Sequence, residues 1–593
     1  MRMSPAARPG RFTGPAVILL AAFAASVPQL VHGNSCGHDF DFHLVSWLDA
    51  AHSWRQGILY PHWAPSANYG AGEPRFVFYP PLTWMLGAAL GLALPWKAVP
   101  IALTFLLLAG TGLATRALAR YVLDEGPATL AGCVAIFSGY ALFTAYERSA
   151  FGELTGGFWI PLLLLLALRD RNATGRLWQR ALDGSAALLA LVVAGAWLSD
   201  VPLGVMASYL LAVFALAVAL LNRSWAPVLR AAAGTVTGLG LSAFFLTPAA
   251  VEQNWVAVRD ATDEPGMLIE NSWLFARHAD PLLQLHDVEL RKVSIIALSM
   301  LAVALASFIL AWKRRSISRQ RGAWIALALI PAVVLFLMLP ASLPVWNLLP
   351  KLRFLQFPWR WLVAVEAPLG VLFASAVWTE NRKTRGVMLA LCAGAALLLS
   401  AFTAPGRLFF QPCDEEDAVW AMLDTYHTGT GFEGEDEYAP PRADTALLAT
   451  DLPDACLSAS ATTVLGQGDE GLTPDWSPAQ GSCDATFSWS TGRRDALAEH
   501  LRLDATASHA GYLILRLRSY PAWRVQVNGQ APRSMPERAD GLMAVPVAQG
   551  PVELTVDWTT TEDVVAGRWL TVIGVALFAG LVWLERRNSP PHL

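Results

Sequence analysis

Apolar runs long enough to cross a lipid bilayer recur along this chain, and they limit what it can fold into more than any other feature. A spanning helix needs roughly 17–25 mostly apolar residues. Runs suited to such helices lie at 15–31, 97–120, 127–146, 152–168, 181–199, 202–221, 228–250, 294–312, 322–340, 359–378, 386–404 and 567–584. The composition agrees, since 54% of the 593 residues are hydrophobic and 15% are charged. We therefore predict a polytopic α-helical membrane protein with about twelve spanning helices.

A further run, 80–95, is short and bracketed by prolines, and whether it spans decides the orientation of the loops. Loops rich in Lys and Arg stay in the cytoplasm, and the basic N-terminus predicts an uncleaved signal anchor that starts there. Basic connections of this kind occur at 169–180, 313–321, 381–385 and 585–587. Counted from these connections, Asp39 and Asp41 lie on the outer side of the membrane only if 80–95 does not span it. If 80–95 does span the membrane, one of the other short runs must not. We predict that 80–95 is a helix in the outer interface, with both chain termini inside.

These assignments divide the chain into three parts. Residues 1–404 form the transmembrane domain, which includes the first outer loop, 32–96, with its juxtamembrane helices. Residues 405–566 form an extracytoplasmic block whose first half is acidic and loop-like. Its second half alternates apolar and polar residues around an Asn528-Gly529 turn, which predicts a small β-sandwich. Residues 567–593 form a last helix and a cytoplasmic tail.

Four cysteines fall in the predicted outer segments, a compartment that permits disulfides. They are Cys36, Cys413, Cys456 and Cys483. A bridge between Cys456 and Cys483 is compatible with this placement.

The charge pattern excludes two broad classes of function. The net charge is −4, no basic stripe is present, and no Gly-rich loop is followed by Lys and Ser or Thr. Neither nucleic-acid binding nor P-loop ATP hydrolysis is therefore expected.

Two carboxylates and an imidazole alternate directly after the first apolar run, as Asp39, Asp41 and His43. Carboxylates this close either share a divalent cation, such as Mg or Mn, or raise one another's pKa towards that of a general base. The alternative is that one Asp caps the helix that follows. Apolar residues at helical spacing predict that helix from Asp41 to Trp54, amphipathic and resting on the membrane surface.

Several motifs together resemble a known family. They are GILYPHW (57–63), YGAGEP (69–74), FYPPL (78–82), YERSAFGE (146–153), FLTPAAVEQNW (245–255) and RFLQFPWRWL (353–362). In combination they are similar to the bacterial membrane proteins named 6-pyruvoyl-tetrahydropterin synthase-related. Those proteins are similar in turn to the glycosyltransferase C (GT-C) superfamily, whose members take sugars from polyprenyl-phosphate donors. The resemblance implies a GT-C-like fold in the bacterial cytoplasmic (inner) membrane.

The resemblance also implies site residues. An acidic residue early in the first outer loop serves as base or metal ligand, which corresponds to Asp39 or Asp41. Glu147 or Glu153 assists from the second outer loop, and Arg148 beside them suits a lipid-linked phosphate because guanidinium binds phosphate bidentately. The alternative role for Glu147, Arg148 and Glu153 is an ion pair that stabilises a helix end.

Other candidates for contacts with the substrate or the lipid phosphate are His43, Tyr79, Arg353 and Arg360. The alternative for the two arginines, which neighbour Trp359 and Trp361, is snorkelling to lipid head groups at an aromatic belt. Asp200 occupies a turn where related sequences tend to have histidine, which leaves its role open.

The family name does not predict zinc-dependent pterin chemistry for this chain. The soluble pterin synthase uses a histidine-built zinc site, whereas no ligand pair shares one helix face among His38, His43, His52 and His62.

SYPAWRVQVNG (519–529) predicts a structural hairpin with Tyr520 and Trp523 in the core; carbohydrate binding by exposed aromatic rings is the alternative.

We therefore predict an inverting membrane glycosyltransferase that moves a sugar from a polyprenyl-phosphate donor to a glycan or protein acceptor on the outer face of the membrane. An Asp of the 39/41 pair deprotonates the acceptor or holds a divalent cation, and Arg148 or Arg360 stabilises the departing phosphate. Two alternatives remain: a transporter of lipid-linked sugars, and a non-catalytic protein that assembles or binds polysaccharide.

Overall fold

The computed structural model describes residues 12–170, 175–316, 320–448, 452–461, 465–468, 471–474, 483–490 and 499–588. The basic N-terminus used above for the orientation lies outside these residues. So do residues 171–174 and 317–319, which belong to two of the basic connections.

Helices make up most of the described chain. The first half contains α1 Thr13–His32, α2 Phe40–Arg55, α3 Arg75–Phe78, α4 Pro81–Ala93, α5 Val99–Val122, α6 Glu125–Ile136, α7 Gly139–Phe143, α8 Phe151–Leu154, α9 Gly156–Leu168, α10 Leu177–Ala181, α11 Ala186–Ser199, α12 Val201–Asn222, α13 Ala226–Leu241, α14 Ala243–Glu252 and α15 Asp260–Asp263. The second half contains α16 Gln284–Lys313, α17 Arg321–Leu337, α18 Leu343–Leu348, α19 Val363–Val377, α20 Arg382–Phe402, α21 Val419–Thr428 and α22 Glu562–Asn588.

Within the described residues, 9 helical segments are long and apolar enough to cross a membrane, and up to 11 if each of two bent helix pairs is one span. The bends are 72° between α13 and α14 and 95° between α17 and the segment that contains α18. The protein is thus a mostly helical, multi-pass membrane protein with a C-terminal β-sheet region. The predicted count of twelve needs α11 as well, whose 14 residues extend only about 21 Å, so that count stays a prediction.

The segment predicted as the first outer loop, residues 32–96, contains the helices α2, α3 and α4. Helix α4 occupies the run 80–95, and its 13 residues extend about 20 Å, which is short for a bilayer core of about 30 Å. Helix α2 forms where it was predicted, but most of its residues are buried, Asp49 and Trp47 included. The prediction of a helix resting on the membrane surface is therefore wrong, because α2 packs against α4, α8 and α21 instead.

The segment predicted as an acidic loop also contains a helix, α21. Val419, Met422, Leu423 and Tyr426 recur at helical spacing and join the apolar cluster around α2. Acidic residues before this short apolar stripe concealed it, so the prediction of a loop is wrong for residues 419–428.

Two antiparallel sheets form the main part of the C-terminal region. The strands are β1 Ala455–Ser458, β2 Leu465–Gly468, β3 Gly471–Pro474, β4 Ala485–Phe487, β5 His500–Ala507, β6 Gly511–Arg518, β7 Trp523–Val527, β8 Leu542–Val547 and β9 Gly550–Trp558. One sheet has the order β4-β1-β6-β8, another has β5-β9-β7, and β2 pairs with β3. Apolar side chains from the two larger sheets share one buried cluster.

The first outer loop anchors this region. Trp63 of the GILYPHW motif lies in the β-region cluster, where it contacts Trp523 with ring centroids 5.1 Å apart. Gly72 of the YGAGEP motif has φ +73°, and a Cβ there would lie 2.1 Å from the Trp63 ring. Tyr520 and Trp523 are buried in the same cluster, as predicted. The predicted hairpin is wrong, because β7 pairs with the distant strand β9 and, in the described residues, no strand directly after the Asn528-Gly529 turn pairs with it.

Two disulfides lie in the described residues. The predicted Cys456–Cys483 bridge is present. The other, Cys36–Cys413, was not predicted; it joins the start of the first outer loop to the segment after α20 across 377 residues.

Loss of the Cys36–Cys413 bridge is expected to lower the free energy of unfolding by about 2–4 kcal/mol, because the crosslink restricts the unfolded chain. Thermal melting of purified Cys413→Ser measures this effect, with Cys133→Ser as control because Cys133 is a free thiol. Equal melting temperatures for wild type and Cys413→Ser would contradict the expectation.

Candidate active site at one end of the helix bundle

Backbone contacts bring the Asp39 loop against the YERSAFGE segment. Residues Thr144–Arg148 form a π-helical turn, a feature often found at functional sites. The Asp39 N–H donates to the Arg148 carbonyl at 2.9 Å. Gly37 permits this approach, because a Cβ there would lie 2.4 Å from the Glu147 carbonyl oxygen.

Arg148 is the centre of a buried charge network that joins four of the predicted site residues. Its guanidinium lies 3.5 Å from Asp39 Oδ2 and 2.5 Å from Glu153 Oε2. Glu153 Oε2 is also 3.3 Å from Arg360 Nε, and its other oxygen accepts a hydrogen bond from the Tyr140 hydroxyl. Arg148 and Glu153 are buried, so each needs the other's charge to offset desolvation.

Asp39 does not cap α2, since its side chain makes no capping hydrogen bond. Its ion-pair partner is Arg148. Asp41 lies in the first turn of α2, exposed, and within the described residues its side chain has neither a hydrogen bond nor an ion pair. The capping alternative therefore has no support at either position.

Two cavities adjoin this network. The smaller has a volume of about 340 Å³, and its lining includes Asp41, His43, Tyr79, Glu153 and Asp200. The larger has a volume of about 720 Å³, and its lining includes Glu147, Arg148, Lys292 and Phe357. Residues that line both are His38, Asp39, Arg360, Glu435 and Glu437. Asp39 and Arg360 thus lie at the boundary between two compartments.

The larger cavity combines charged and apolar side chains. Three cations, Arg148, Lys292 and Arg360, lie among seven acidic residues: Asp39, Glu147, Glu264, Glu289, Glu435, Asp436 and Glu437. Lys292 Nζ is 2.5 Å from Glu147 Oε1, while Glu147 Oε2 is buried without a hydrogen-bond partner. The guanidinium carbons of Arg148 and Arg360 lie 5.9 Å and 5.2 Å from the centre of the Phe357 ring. Leu285 and Val288 of α16, both exposed, complete the lining on the apolar side.

Arg353 is the predicted site residue that the fold does not bring to these cavities. It is bound to Glu270 and donates to Asn347 Oδ1 at 2.9 Å. It lines neither cavity. Six residues of 3-10 turn and loop, 354–359, lie between it and Arg360.

Sequence reasoning missed the acidic segment 434–438, which closes one side of both cavities. The N–H of Glu435 donates to Glu73 at 3.0 Å, and Tyr438 stacks on Phe78 at 5.6 Å. Burial, and then the charge of Glu437, raises the pKa of Glu435. The acidic composition of this segment was visible in the sequence, but nothing local indicated where it packs.

Asp200 and Lys292 are two further cavity residues that the predictions did not place in the site. Asp200 caps α12 by accepting a hydrogen bond from the Leu203 N–H at 2.8 Å. Burial raises its pKa to about 6, despite the opposing charge of Arg360. An acid directly before an apolar helix was the available signal for Asp200; Lys292 offered none.

His43 is buried, and both of its ring nitrogens have hydrogen-bond partners. Its Nδ1 is 2.9 Å from the Tyr79 hydroxyl, and its Nε2 accepts from the Phe151 N–H at 3.2 Å. Burial lowers the pKa of His43 from 6.5 to about 4, although Asp39 opposes this shift.

This shift predicts a loss of stability in acid. Between its unfolded and folded pKa values His43 binds more protons in the unfolded chain, so stability falls as the pH drops from 6.5 towards 4. From pH 7.5 to pH 5 the free energy of unfolding of wild type should fall by about 2 kcal/mol more than that of His43→Asn. Melting curves at the two pH values measure the difference, and equal losses would contradict it.

The described residues give no preformed metal centre. No three His, Cys, Asp or Glu side chains converge in that part of the chain. Asp39 is already paired with Arg148, and the outer-loop histidines have separate partners: His38 with Glu289, His52 with Gln56, and His62 with Glu499.

Comparisons with known proteins identify a family and solved structures of similar fold. The family model described as a 6-pyruvoyl-tetrahydropterin synthase related domain of a membrane protein matches residues 76–404, more than half of the chain. This range excludes Asp39, Asp41 and the acidic segment 434–438. No curated protein matches.

The chain is also similar to the Archaeoglobus fulgidus oligosaccharyltransferase. For the apo form the TM-score is 0.40 at 13% identity, covering 72% of this chain and 57% of that one. For the complex with Zn and sulfate the TM-score is 0.41 at 13% identity, covering 72% and 58%. This chain therefore spans less than two thirds of the length of those structures, and a likeness at this level does not establish a shared activity.

Proposed function

This chain belongs to the 6-pyruvoyl-tetrahydropterin synthase related family of membrane proteins, and we propose that it is a GT-C-like glycosyltransferase that uses a polyprenyl-phosphate sugar. Family membership alone does not give this chemistry. The observation that carries the proposal is a cavity in which Arg148, Arg360 and Lys292 lie near apolar side chains, and which shares Asp39 and Arg360 with a second cavity. Two joined compartments suit a donor and an acceptor.

The larger cavity would hold the donor phosphate. Arg148, Arg360 and Lys292 supply positive charge, and guanidinium groups bind phosphate oxygens bidentately. The exposed Leu285 and Val288 on the same lining would contact the isoprenoid chain. As the sugar–phosphate bond breaks, charge develops on the phosphate, and fixed cations stabilise it.

Asp39 would be the general base. It lines both cavities, whereas Asp41 lines the smaller one and not the larger. An acceptor hydroxyl in the smaller cavity would lose its proton to Asp39 while its oxygen attacks the anomeric carbon. The sugar then moves to the acceptor with inversion, and the polyprenyl phosphate leaves with the electron pair of the broken bond.

A divalent cation remains part of this proposal only as a prediction. Mg²⁺ is often held by one or two carboxylates together with substrate phosphates. Asp41 would be one of these carboxylate ligands. No step above depends on the cation, and addition of EDTA tests the requirement.

One observation favours the transporter as second candidate. Transporters use interrupted helices and ionisable groups within the membrane. Two helix pairs here are bent, and Glu366 is buried within α19, where it accepts from Ser138 at 3.2 Å. A transporter, however, leaves the sugar–phosphate bond intact.

Cleavage of that bond therefore tests the proposal. Purified protein in lipid nanodiscs is incubated with polyprenyl-phosphate sugars radiolabelled in the sugar, together with candidate acceptors. We expect protein-dependent transfer of the label from the lipid to an acceptor. If label crosses a proteoliposome membrane still attached to its lipid and is never released, the transporter is correct and the proposal fails.

A further inference from the structure

Tyr79 and His43 form a hydrogen-bonded pair on the lining of the smaller cavity. The Tyr79 hydroxyl is 2.9 Å from His43 Nδ1. Within the described residues this is the one hydrogen bond of the Tyr79 side chain. The direction of this bond decides what Tyr79 offers to a bound molecule.

The environment of His43 fixes that direction. Its Nε2 lies 3.2 Å from the backbone nitrogen of Phe151, which is a donor, so Nε2 must accept. A neutral imidazole with an accepting Nε2 carries its hydrogen on Nδ1. Nδ1 therefore donates to the Tyr79 oxygen, and the hydrogen of the Tyr79 hydroxyl is left for another acceptor.

No protein acceptor takes that hydrogen among the described residues, and Tyr79 lines the cavity. The phenol also keeps its proton, since burial, with the charges of Asp200 and Asp39, raises the pKa of Tyr79. Tyr79 can thus serve as a donor but not as a base.

The rest of the lining limits what the bound molecule can be. Acidic side chains dominate it, namely Asp39, Asp41, Glu153, Asp200, Glu435 and Glu437, and Arg360 beside them offsets part of their charge. Such groups accept hydrogen bonds and repel anions. A matching ligand is uncharged, donates several hydrogen bonds and accepts one, as the hydroxyl groups of a sugar do.

We infer that the smaller cavity binds a neutral, hydroxyl-rich glycan, that Tyr79 donates a hydrogen bond to one of its oxygens, and that His43 is the residue that positions Tyr79. This inference rests on the proposed function for the identity of the cavity as the acceptor compartment. It selects a glycan acceptor over a protein acceptor.

The first test concerns the protein alone. Solid-state NMR of full-length protein in bilayers, labelled with ¹⁵N in histidine, reports which ring nitrogen carries the hydrogen, and His43→Asn assigns the signals. We expect the Nδ1–H tautomer at neutral pH. The Nε2–H tautomer would overturn the inference whether or not transfer is ever observed.

The second test measures binding of named sugars without any donor. Saturation-transfer NMR is run with oligosaccharides of glucose, galactose, mannose and N-acetylglucosamine. We expect at least one to bind and its affinity to fall about tenfold in Tyr79→Phe, as one hydrogen bond is lost. His43→Asn, which keeps an amide donor near the Nδ1 position, should retain more affinity than His43→Leu.

The control is Tyr121→Phe, because the Tyr121 hydroxyl donates to the Leu168 carbonyl at 2.8 Å and lines neither cavity. It should leave binding unchanged. If no sugar binds, or if Tyr79→Phe binds as wild type does, the inference is overturned. Absence of transfer with sugar binding intact would instead count against the proposed function.

Discussion

Replacement of Asp39 by asparagine is expected to lower the rate of sugar transfer by about 10²–10⁴-fold, the range for loss of a general base. Asparagine keeps the size of the side chain, so the backbone contact between Asp39 and Arg148 should persist. Asp41→Asn should reduce the rate much less, because Asp41 lines the smaller cavity and not the larger. Transfer rates of purified variants at matched concentration measure both effects.

Asp484→Asn is the matched control for these two variants. Asp484 is exposed on the β-sheet region, where it pairs with His509 at 3.0 Å, and it should transfer sugar as wild type does. A larger loss in Asp41→Asn than in Asp39→Asn would move the base to Asp41. Unchanged rates in both would remove the base from this loop.

Replacement of Arg148 by lysine is expected to lower transfer by about 10²-fold, comparable to the loss of one fixed donor at a developing charge. A single ammonium cannot hold Asp39, Glu153 and a phosphate in the planar arrangement that guanidinium allows. Arg148→Met should also cost about 3–5 kcal/mol of stability, because Glu153 is left buried with a weaker counter-charge. Thermal melting and transfer rates separate the two effects.

Arg353 provides the control for Arg148. It belongs to the same motif as Arg360, yet it pairs with Glu270 away from both cavities. Arg353→Lys should therefore leave transfer within a factor of about two of wild type, since exposed ion pairs contribute little. If Arg353→Lys lowers transfer as strongly as Arg148→Lys, the donor phosphate is not held where we propose.

The hydrophobic runs predicted the helices well because length and apolarity are properties of the local sequence. Each predicted run is helical in the structure, and the short run 80–95 is the 13-residue helix α4. Features that depend on partners distant in the chain were not predictable in the same way. The Cys36–Cys413 bridge spans 377 residues, and α2 is buried by helices that the sequence could not place against it.

The candidate site likewise combines residues that sequence motifs predicted with residues that only the fold brings together. Asp39, Arg148, Glu153 and Arg360 come from motifs, and the fold brings them into one charge network. Arg353 came from the same motif as Arg360, but the turn between them separates their side chains. Glu435 and Glu437 reach the cavities because Gly434 packs on Asn68, where a Cβ would lie 2.2 Å from the amide nitrogen. Such a contact leaves no trace in the periodicity of either segment.

The position of a bound, non-cleavable donor analogue tests the central claim most directly. A polyprenyl-linked sugar phosphonate, in which carbon replaces the bridging oxygen, can be located on the full-length protein in nanodiscs by electron cryo-microscopy. We predict that the phosphonate lies within hydrogen-bond distance of Arg148 or Arg360 and that the anomeric carbon faces Asp39. An analogue found only on the lipid-facing surface of the helices, with both cavities empty, would contradict the assignment of this site to sugar transfer.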